Sequence, residues 1–286
     1  MNQQVPHVRP PTPQAVPGAK NIIAVASGKG GVGKTTVSVN LAIALANSGA
    51  KVGLLDADIY GPNVPMMTDT MKRKLEGSAG GKIMPIEKYG LKIVSIGYVN
   101  DGDTAVIWRG PLVGRMITQF LTEVDWGELD YLVVDLPPGT GDAQLTLSQA
   151  VALTGAVVVT TPQDVALTDA KKGINMFRKV EVPVLGIIEN MSYFHCPHCN
   201  ERTEIFSHGG GKKAAVKFEV PFLGEVPLNV DIRSGGDQGR PIVTQDKRGE
   251  IKKVFEDIAN SLKAQIEKLN KQNNSSNILG KVFKLS

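Results

Sequence analysis

Gly28-Lys29-Gly30-Gly31-Val32-Gly33-Lys34-Thr35 fits the pattern G-x-x-x-x-G-K-[ST], and its flanks decide the fold. Before it runs Ile22-Ile23-Ala24-Val25-Ala26, short and apolar as a buried strand is. After it, Thr36 to Asn47 carries apolar residues at helical spacing, and Gly49 ends the run. Strand, glycine turn and helix together make a phosphate cradle. Glycines let backbone N–H groups converge on phosphate oxygens, and the helix N-terminus adds partial positive charge. Lys34 would reach the β- and γ-phosphates, and the Thr35 hydroxyl would ligate Mg²⁺.

Working outward, apolar runs recur at Val52-Gly53-Leu54-Leu55, Ile93-Val94-Ser95-Ile96, Tyr131-Leu132-Val133-Val134, Ala156-Val157-Val158-Val159 and Val184-Leu185-Gly186-Ile187-Ile188, with a shorter one at Phe222-Leu223. Helical patterns fall between most of them. The alternation predicts an α/β fold: a doubly wound, mostly parallel sheet flanked by helices on both faces. Residues 1–20 hold five prolines and little apolar periodicity, which predicts a disordered leader. Residues 21–270 read as one domain, and 271–286 as a flexible tail.

Two strand-like runs end in aspartate. One continues as Asp56-Ala57-Asp58-Ile59-Tyr60-Gly61-Pro62-Asn63, the other as Asp135-Leu136-Pro137-Pro138-Gly139-Thr140-Gly141-Asp142. A lone strand-end Asp is ordinarily a turn or cap residue. Two of them beside a phosphate loop read as carboxylates that hold Mg²⁺ or its waters, because open α/β sheets keep their chemistry at the strand C-termini.

The 286 residues suffice to bury one good core. A net charge of +4 without a dense basic run gives no footprint for nucleic acid. No apolar stretch is long enough to span a membrane and no signal peptide opens the chain, so no membrane partner is expected and the cytosol is the expected compartment. Cys196 and Cys199 are the only cysteines, too close together to staple a fold; in a reducing compartment such a pair points to metal or redox work.

The glycine loop with Lys29 resembles the deviant Walker A motif, K-G-G-x-G-K-[ST]. Further stretches resemble the Mrp/ApbC family within the MinD-like ATPases: Asp56 to Pro65, Trp108-Arg109-Gly110-Pro111, Trp126 to Tyr131, Asp135 to Asp142, Thr161-Pro162-Gln163-Asp164, Glu189-Asn190-Met191-Ser192-Tyr193, Cys196-Pro197-His198-Cys199, Ile205-Phe206 with Gly209-Gly210-Gly211, and Gly236 to Pro241. The match runs from about Asn21 to Val243. Members are described as ATP-hydrolysing carriers or scaffolds for iron–sulfur clusters. The resemblance implies that Gly28 through Thr36 bind the nucleotide, and that Lys29 crosses a dimer interface to the partner's γ-phosphate as an arginine finger does. It implies that Asp58 orients the attacking water, and that Asp56 and Asp135 organise Mg²⁺ through its water shell. It also implies that Asn190 reads adenine, with Pro227 and Leu228 lining the base pocket. Many bacterial members carry a small extra domain before the ATPase; here only the proline-rich leader precedes Asn21.

The cysteine pair by itself leaves several readings open. A thioredoxin-like pair would open a helix, which Pro197 and His198 fit poorly. His195, His198 and His208 lie near in sequence, so a Cys₂His₂ zinc site within one chain is possible on ligand count. A two-fold axis offers a third solution: two C-x-x-C pairs would give four thiolates around one metal centre. The family resemblance points to this last arrangement, with a bridging [4Fe–4S] cluster handed between cluster donors and apo iron–sulfur proteins.

Ile251, Val254, Phe255, Ile258, Leu262, Ile266 and Leu269 recur at helical spacing and predict a docked helix, broken by the polar stretch Asn270 to Asn277. Ile278 to Leu285 mixes apolar residues with two lysines, and reads as a frayed or locally docked tail in preference to a MinD-like membrane tail. Three functions therefore stand at this point. They are an ATP-dependent iron–sulfur carrier, a MinD-like membrane or partitioning switch, and a nucleotide-gated dimer with structural zinc. The cysteine pair favours the first.

Overall fold

The computed structural model describes residues 13–99, 110–140, 142–245 and 249–282. Trp108, Arg109 and Gly141 of the family-like stretches lie outside them. In chain order the elements are β1 (Ala19–Ser27), α1 (Lys34–Asn47), β2 (Val52–Asp56), α2 (Val64–Met67), β3 (Glu76–Gly77), β4 (Ile83–Met84), β5 (Ile86–Lys88), β6 (Leu91–Ser95), α3 (Gly110–Thr122), β7 (Leu129–Asp135), α4 (Asp142–Ala150), β8 (Gly155–Thr160), α5 (Asp164–Lys179), β9 (Val184–His195), β10 (Arg202–Thr203), α6 (Gly210–Lys217), β11 (Phe222–Leu228), α7 (Val230–Asp237) and α8 (Glu250–Val282).

Among the described residues the main sheet has nine strands in the order β10-β9-β8-β1-β7-β2-β6-β5, with β11 also paired to β9. All pairings among β1, β2, β6, β7, β8, β9 and β11 are parallel, while β5 and β10 add antiparallel edges. β1 lies between β7 and β8. The chain leaves β1 through α1 to β2 on one side, returns to β7, and then crosses to β8 on the other. That reversal of strand order opens a crevice beyond the C-termini of β1 and β7, where open α/β sheets bind their ligands.

β1 shows why both faces must be covered. Ile22, Ala24 and Ala26 point into one core, which α3, α5 and α6 complete with Phe120, Ile174, Phe177 and Ala215. Ile23 and Val25 point into the other, closed by Val37 and Leu41 of α1 and by Phe255, Ile258 and Leu262 of α8. Side chains alternate along a strand, so a run apolar at every position is buried on two sides.

Three expected boundaries fall elsewhere. Pairing starts ahead of residue 20: Gln14 forms backbone hydrogen bonds with Ala150 and Ala152, and Val16 is buried. The helix does not break at Asn270 to Asn277 but continues as α8 through Val282. Polar residues cost an exposed helix only a few tenths of a kcal/mol each, and a helix already anchored by packing needs no new nucleus. Ser275 donates back to the Lys271 carbonyl at 2.9 Å, keeping its side chain within the helix. The strand that begins with the apolar run Val184 to Ile188 does not end with it, since β9 carries on through Asn190 to His195. No helix among the described residues is long and apolar enough to cross a membrane.

Candidate functional site

The glycine loop joins β1 to α1, as its flanks predict. Gly33 caps α1 with φ 79°, a left-handed conformation open to glycine, and a Cβ there would also collide with Asn190 Nδ2. At Gly30 and Gly31 a Cβ would meet nothing within 4 Å, so the loop backbone faces open space at the N-terminus of α1. That is the shape of an anion cradle.

Register brings the carboxylates to this loop. Asp135 ends β7 beside Val25 of β1, and Asp56 ends β2 directly opposite Asp135. Lys34, nearly buried at the start of α1, sits 2.8 Å from Asp135 Oδ2 and 3.7 Å from Asp58 Oδ2. Thr35 Oγ1 donates to Asp135 Oδ2 at 2.7 Å, and Ser38 Oγ lies one helical turn on, 2.6 Å from Asp135 Oδ1. The ammonium thus stands where these carboxylates gather a cation. A donor set of hydroxyl and carboxylate oxygens suits Mg²⁺, and Thr35 with Asp135 would hold it.

Asp56 is fully buried and accepts three protein donors: Asp58 N–H at 3.1 Å on Oδ1, with Val64 N–H at 3.2 Å and Ser95 Oγ at 2.9 Å on Oδ2. It therefore ties the Asp58 turn and α2 to the ends of β2 and β6. Burial, with the Asp135 charge beside it, pushes its carboxyl up to about 7 against the pull of those donors. Burial also raises the Asp58 carboxyl, opposed by the Lys34 ammonium. One lysine faces three carboxylates, so the site holds more negative charge than it neutralises. A divalent cation would correct that imbalance.

Lys29 is half-buried, and among the described residues its ammonium makes no ion pair; only its carbonyl is engaged, by Ser27 Oγ at 2.9 Å. Asn190 Nδ2 donates to the Val32 carbonyl at 2.8 Å, placing this residue against the loop itself. Pro227 and Leu228 follow Val226, which pairs with Asn190 across β9 and β11. Gly28, Thr36 and the rest of the loop lie together as their spacing requires.

Beyond Asn190, β9 carries the thiols. β10 folds back antiparallel on its end, pairing Arg202 with His195 and Thr203 with Phe194. Cys196 and Cys199 occupy the hairpin tip, half-exposed and exposed, closed by Cys196 N–H to Glu201 O at 3.0 Å and Asn200 N–H to Cys196 O at 2.8 Å. Backbone N–H groups of Cys199 and His198 aimed at the Cys196 sulfur hold its thiol below the usual range, which favours the thiolate a metal takes. Among the described residues no group of three His, Cys, Asp or Glu side chains is placed to hold a metal ion. His195 stacks edge-on against Tyr193, and His208 is engaged by Arg202 Nη2 and Ser192 Oγ at 3.1 Å. The Cys₂His₂ arrangement allowed by ligand count is therefore not assembled among the described residues.

Sequence reading missed the supports. Ser38 and Ser95 brace Asp135 and Asp56; a serine at the end of the Ile93–Ile96 run was the only available hint for the second. Buried Glu189 accepts Ser192 Oγ at 2.6 Å and Gly209 N–H at 3.0 Å, and its other oxygen accepts Gly211 N–H. It fills the positive N-terminal end of α6 from within the molecule.

With this geometry in view, comparison with known proteins is specific. The family model described as ParA: NUBPL iron-transfer P-loop NTPase matches residues 18–263. The iron-sulfur cluster transfer protein NUBPL of Dictyostelium discoideum is 49% identical over 267 residues, covering 93% of this chain and 83% of that one. The iron-sulfur cluster carrier protein of Escherichia coli K12 is 52% identical over 249 residues, covering 87% and 68%. Among solved structures, a nucleotide-binding protein of Archaeoglobus fulgidus in complex with ADP superposes with a TM-score of 0.70 at 43% identity, covering 78% of this chain and 88% of that one. The Pyrococcus furiosus cell division ATPase MinD, at 23% identity and a TM-score of 0.62 over 85% and 98%, shares the fold. A phosphate loop braced by Asp135, one strand removed from an exposed C-x-x-C hairpin, agrees with what the match over most of the chain establishes: this chain belongs to the NUBPL iron-transfer P-loop NTPase family.

Proposed function

We propose that the chain is an ATP-dependent iron–sulfur cluster carrier. It binds and hydrolyses ATP with Mg²⁺, and holds a [4Fe–4S] cluster between the Cys196 and Cys199 pairs of two copies for transfer to apo iron–sulfur proteins. The observation that carries this reading is the hairpin. Two thiols, one half-exposed and one exposed, stand at the end of β9, and among the described residues no group of three His, Cys, Asp or Glu side chains is placed to hold a metal ion. A second copy supplies the missing two by symmetry.

Another feature supports the dimer. Exposed apolar side chains follow the C-termini of several parallel strands: Tyr60 after β2, Val99 after β6, Leu145 in α4 after β7, Val165 after β8 and Val230 after β11. This is the face on which the glycine loop opens. Apolar groups concentrated on one face mark an interaction surface, and Lys29 on that face is free to reach a partner's nucleotide.

In the proposed chemistry, the amides of Gly28 through Thr36 and the Lys34 ammonium bind the phosphates. Lys34 moves from Asp135 and Asp58 to reach them. Thr35 and Asp135 would hold Mg²⁺, which would supply charge neutralisation for the phosphoryl transfer. Asp56 already accepts three protein donors, so its part is the outer one, through the water shell of the ion. Asp58 orients the attacking water, and the partner's lysine at position 29 neutralises charge on the transferred phosphoryl group. Asn190, Pro227 and Leu228 form the side of the site toward the base. A reducing compartment such as the cytosol keeps both thiols available. A relative from Arabidopsis thaliana, 50% identical, carries a mitochondrial designation in its name.

Anaerobic reconstitution with iron and sulfide tests the reading. The expected product absorbs near about 400 nm through thiolate-to-iron charge transfer and passes its cluster to an apo-ferredoxin. Tight, colourless zinc that excludes iron would overturn it.

A further inference from the structure

β9 is not a regular strand. Its pairing with β11 shifts between Val226↔Asn190 and Leu228↔Phe194, so β9 advances four residues while β11 advances two. Within that bulge Met191 has φ 56°, a left-handed value rare outside glycine and asparagine. A held outlier of this kind at a functional site is over-determined by its surroundings.

The bulge changes which residues face which way. In a regular strand Asn190 and Met191 would point to opposite faces. Here both reach the glycine loop. Asn190 Nδ2 donates to the Val32 carbonyl, and the Met191 terminal methyl lies 3.7 Å from the position a Cβ on Gly33 would take. Ser192, which regular alternation would turn away from Glu189, instead donates to it at 2.6 Å. From Ser192 contacts continue to His208 Nδ1 at 3.1 Å, from His208 Nε2 to Arg202 Nη2 at 3.2 Å, and from the Arg202 guanidinium to the Tyr193 ring, 4.3 Å from its centroid. Arg202 is the residue paired with His195, immediately before Cys196. One left-handed residue therefore lets β9 grip the phosphate loop on one side and the base of the thiol hairpin on the other.

We propose that Met191 is a positioning residue: its left-handed backbone forms the joint through which an occupied glycine loop sets the geometry of the Cys196–Cys199 hairpin. The proposal rests on the reading that the loop binds nucleotide and the hairpin holds the cluster. A phosphate seated on the loop must move the Val32 peptide or hold it. Asn190 and Met191 follow that peptide, and Ser192 and Arg202 carry the change to the thiols. The backbone conformation carries this role, so any residue at 191 that accepts positive φ preserves it.

The test uses the full-length, metal-free protein under reducing conditions. Iodoacetamide labelling of Cys196 and Cys199 is timed by intact mass with Mg²⁺ alone and with Mg²⁺ and ADP, while calorimetry reports ADP binding independently. The wild type should change its labelling rate by about fivefold or more on binding ADP. Met191→Gly and Met191→Asn should keep that response. Met191→Val should bind ADP yet lose it, because a β-branched residue resists positive φ. Ser192→Ala cuts the clasp without touching the backbone and should lose the response as well, which covers the case in which Met191→Val does not fold. Nucleotide-independent labelling in wild type that binds ADP would overturn the proposal, as would a full response in Met191→Val or Ser192→Ala. Iron uptake on reconstitution is read separately, so a failed carrier reading and a failed joint give different results.

Discussion

Around Lys34 the polar groups find their counterparts inside one chain. Three carboxylates, three hydroxyls and an ammonium converge from α1, β2, β6, β7 and the turn after β2, and strand register sets Asp56, Ser95 and Asp135 side by side. At the hairpin tip two thiols stand partly or fully in the open, with no third ligand among the described residues placed to complete a metal site. Under the proposed function, the contrast divides the labour. A site proposed to bind and turn over nucleotide is preorganised, because electrostatic stabilisation works only when dipoles and charges are already in place. A site proposed to take up and release a cargo is left half-built and exposed, so that forming or parting a dimer would open and close it.

The largest expected effect breaks the comparison at the incomplete end. Cys196→Ser or Cys199→Ser should abolish cluster binding outright, since a symmetric site loses two of its four thiolates at once, while ADP affinity measured by calorimetry stays within about twofold. Loss of both functions together would mean that the two regions are not separate sites. At the complete end, Lys34→Ala removes the ammonium from the buried carboxylates. Nucleotide affinity should fall by about a hundredfold, and the nucleotide-free protein should lose about 3–5 kcal/mol, the usual cost of stranding buried charge. Denaturant unfolding measures the second; an unchanged midpoint would show that the carboxylates do not depend on Lys34.

A mixing experiment sharpens the comparison by asking whether the nucleotide site too borrows from the partner. Lys29→Ala and Asp58→Ala should each bind nucleotide and lose turnover. If Lys29 acts across the interface, a mixed dimer has one site with both defects and one with neither. Equal mixing should then restore about a quarter of wild-type ATPase, because half the dimers are mixed and each has one intact site. No recovery despite proven heterodimers would place Lys29 in its own chain's site.

The smallest effect concerns pH. Folding raises the Asp56 carboxyl from 3.8 to about 7. A carboxyl raised in this way binds its proton more tightly folded than unfolded, so between those values stability falls as pH rises, and it levels off above about 7. Through this group the nucleotide-free protein should melt higher at about pH 6 than at about pH 8. Asp56→Asn should flatten that slope in a melting series; an identical slope would take the role from Asp56.

How far the sequence could be read follows the range of each interaction. The glycine loop was legible because a single eight-residue stretch with its two flanks contains the whole device. The doubly wound sheet was legible because every central strand is apolar at consecutive positions. Asp56 and Asp135 were found as strand ends, but their mutual opposition depends on register, which no local pattern states. Ser38, Ser95 and the Glu189–Ser192 clasp were missed for the same reason: each partner lies across a strand or a helix turn from the other. Met191 was invisible, since nothing in a methionine predicts positive φ. The break expected at Asn270 failed because propensity is a weak prior against a helix that packing has already started.

The central claim is that one chain provides half a cluster site. Native mass spectrometry of the anaerobically reconstituted protein tests it most directly. The account predicts that cluster mass appears only on the dimer, one four-iron cluster per two chains, and that Cys196→Ser removes that species. Metal retained on monomers, at one ion per chain, would contradict it.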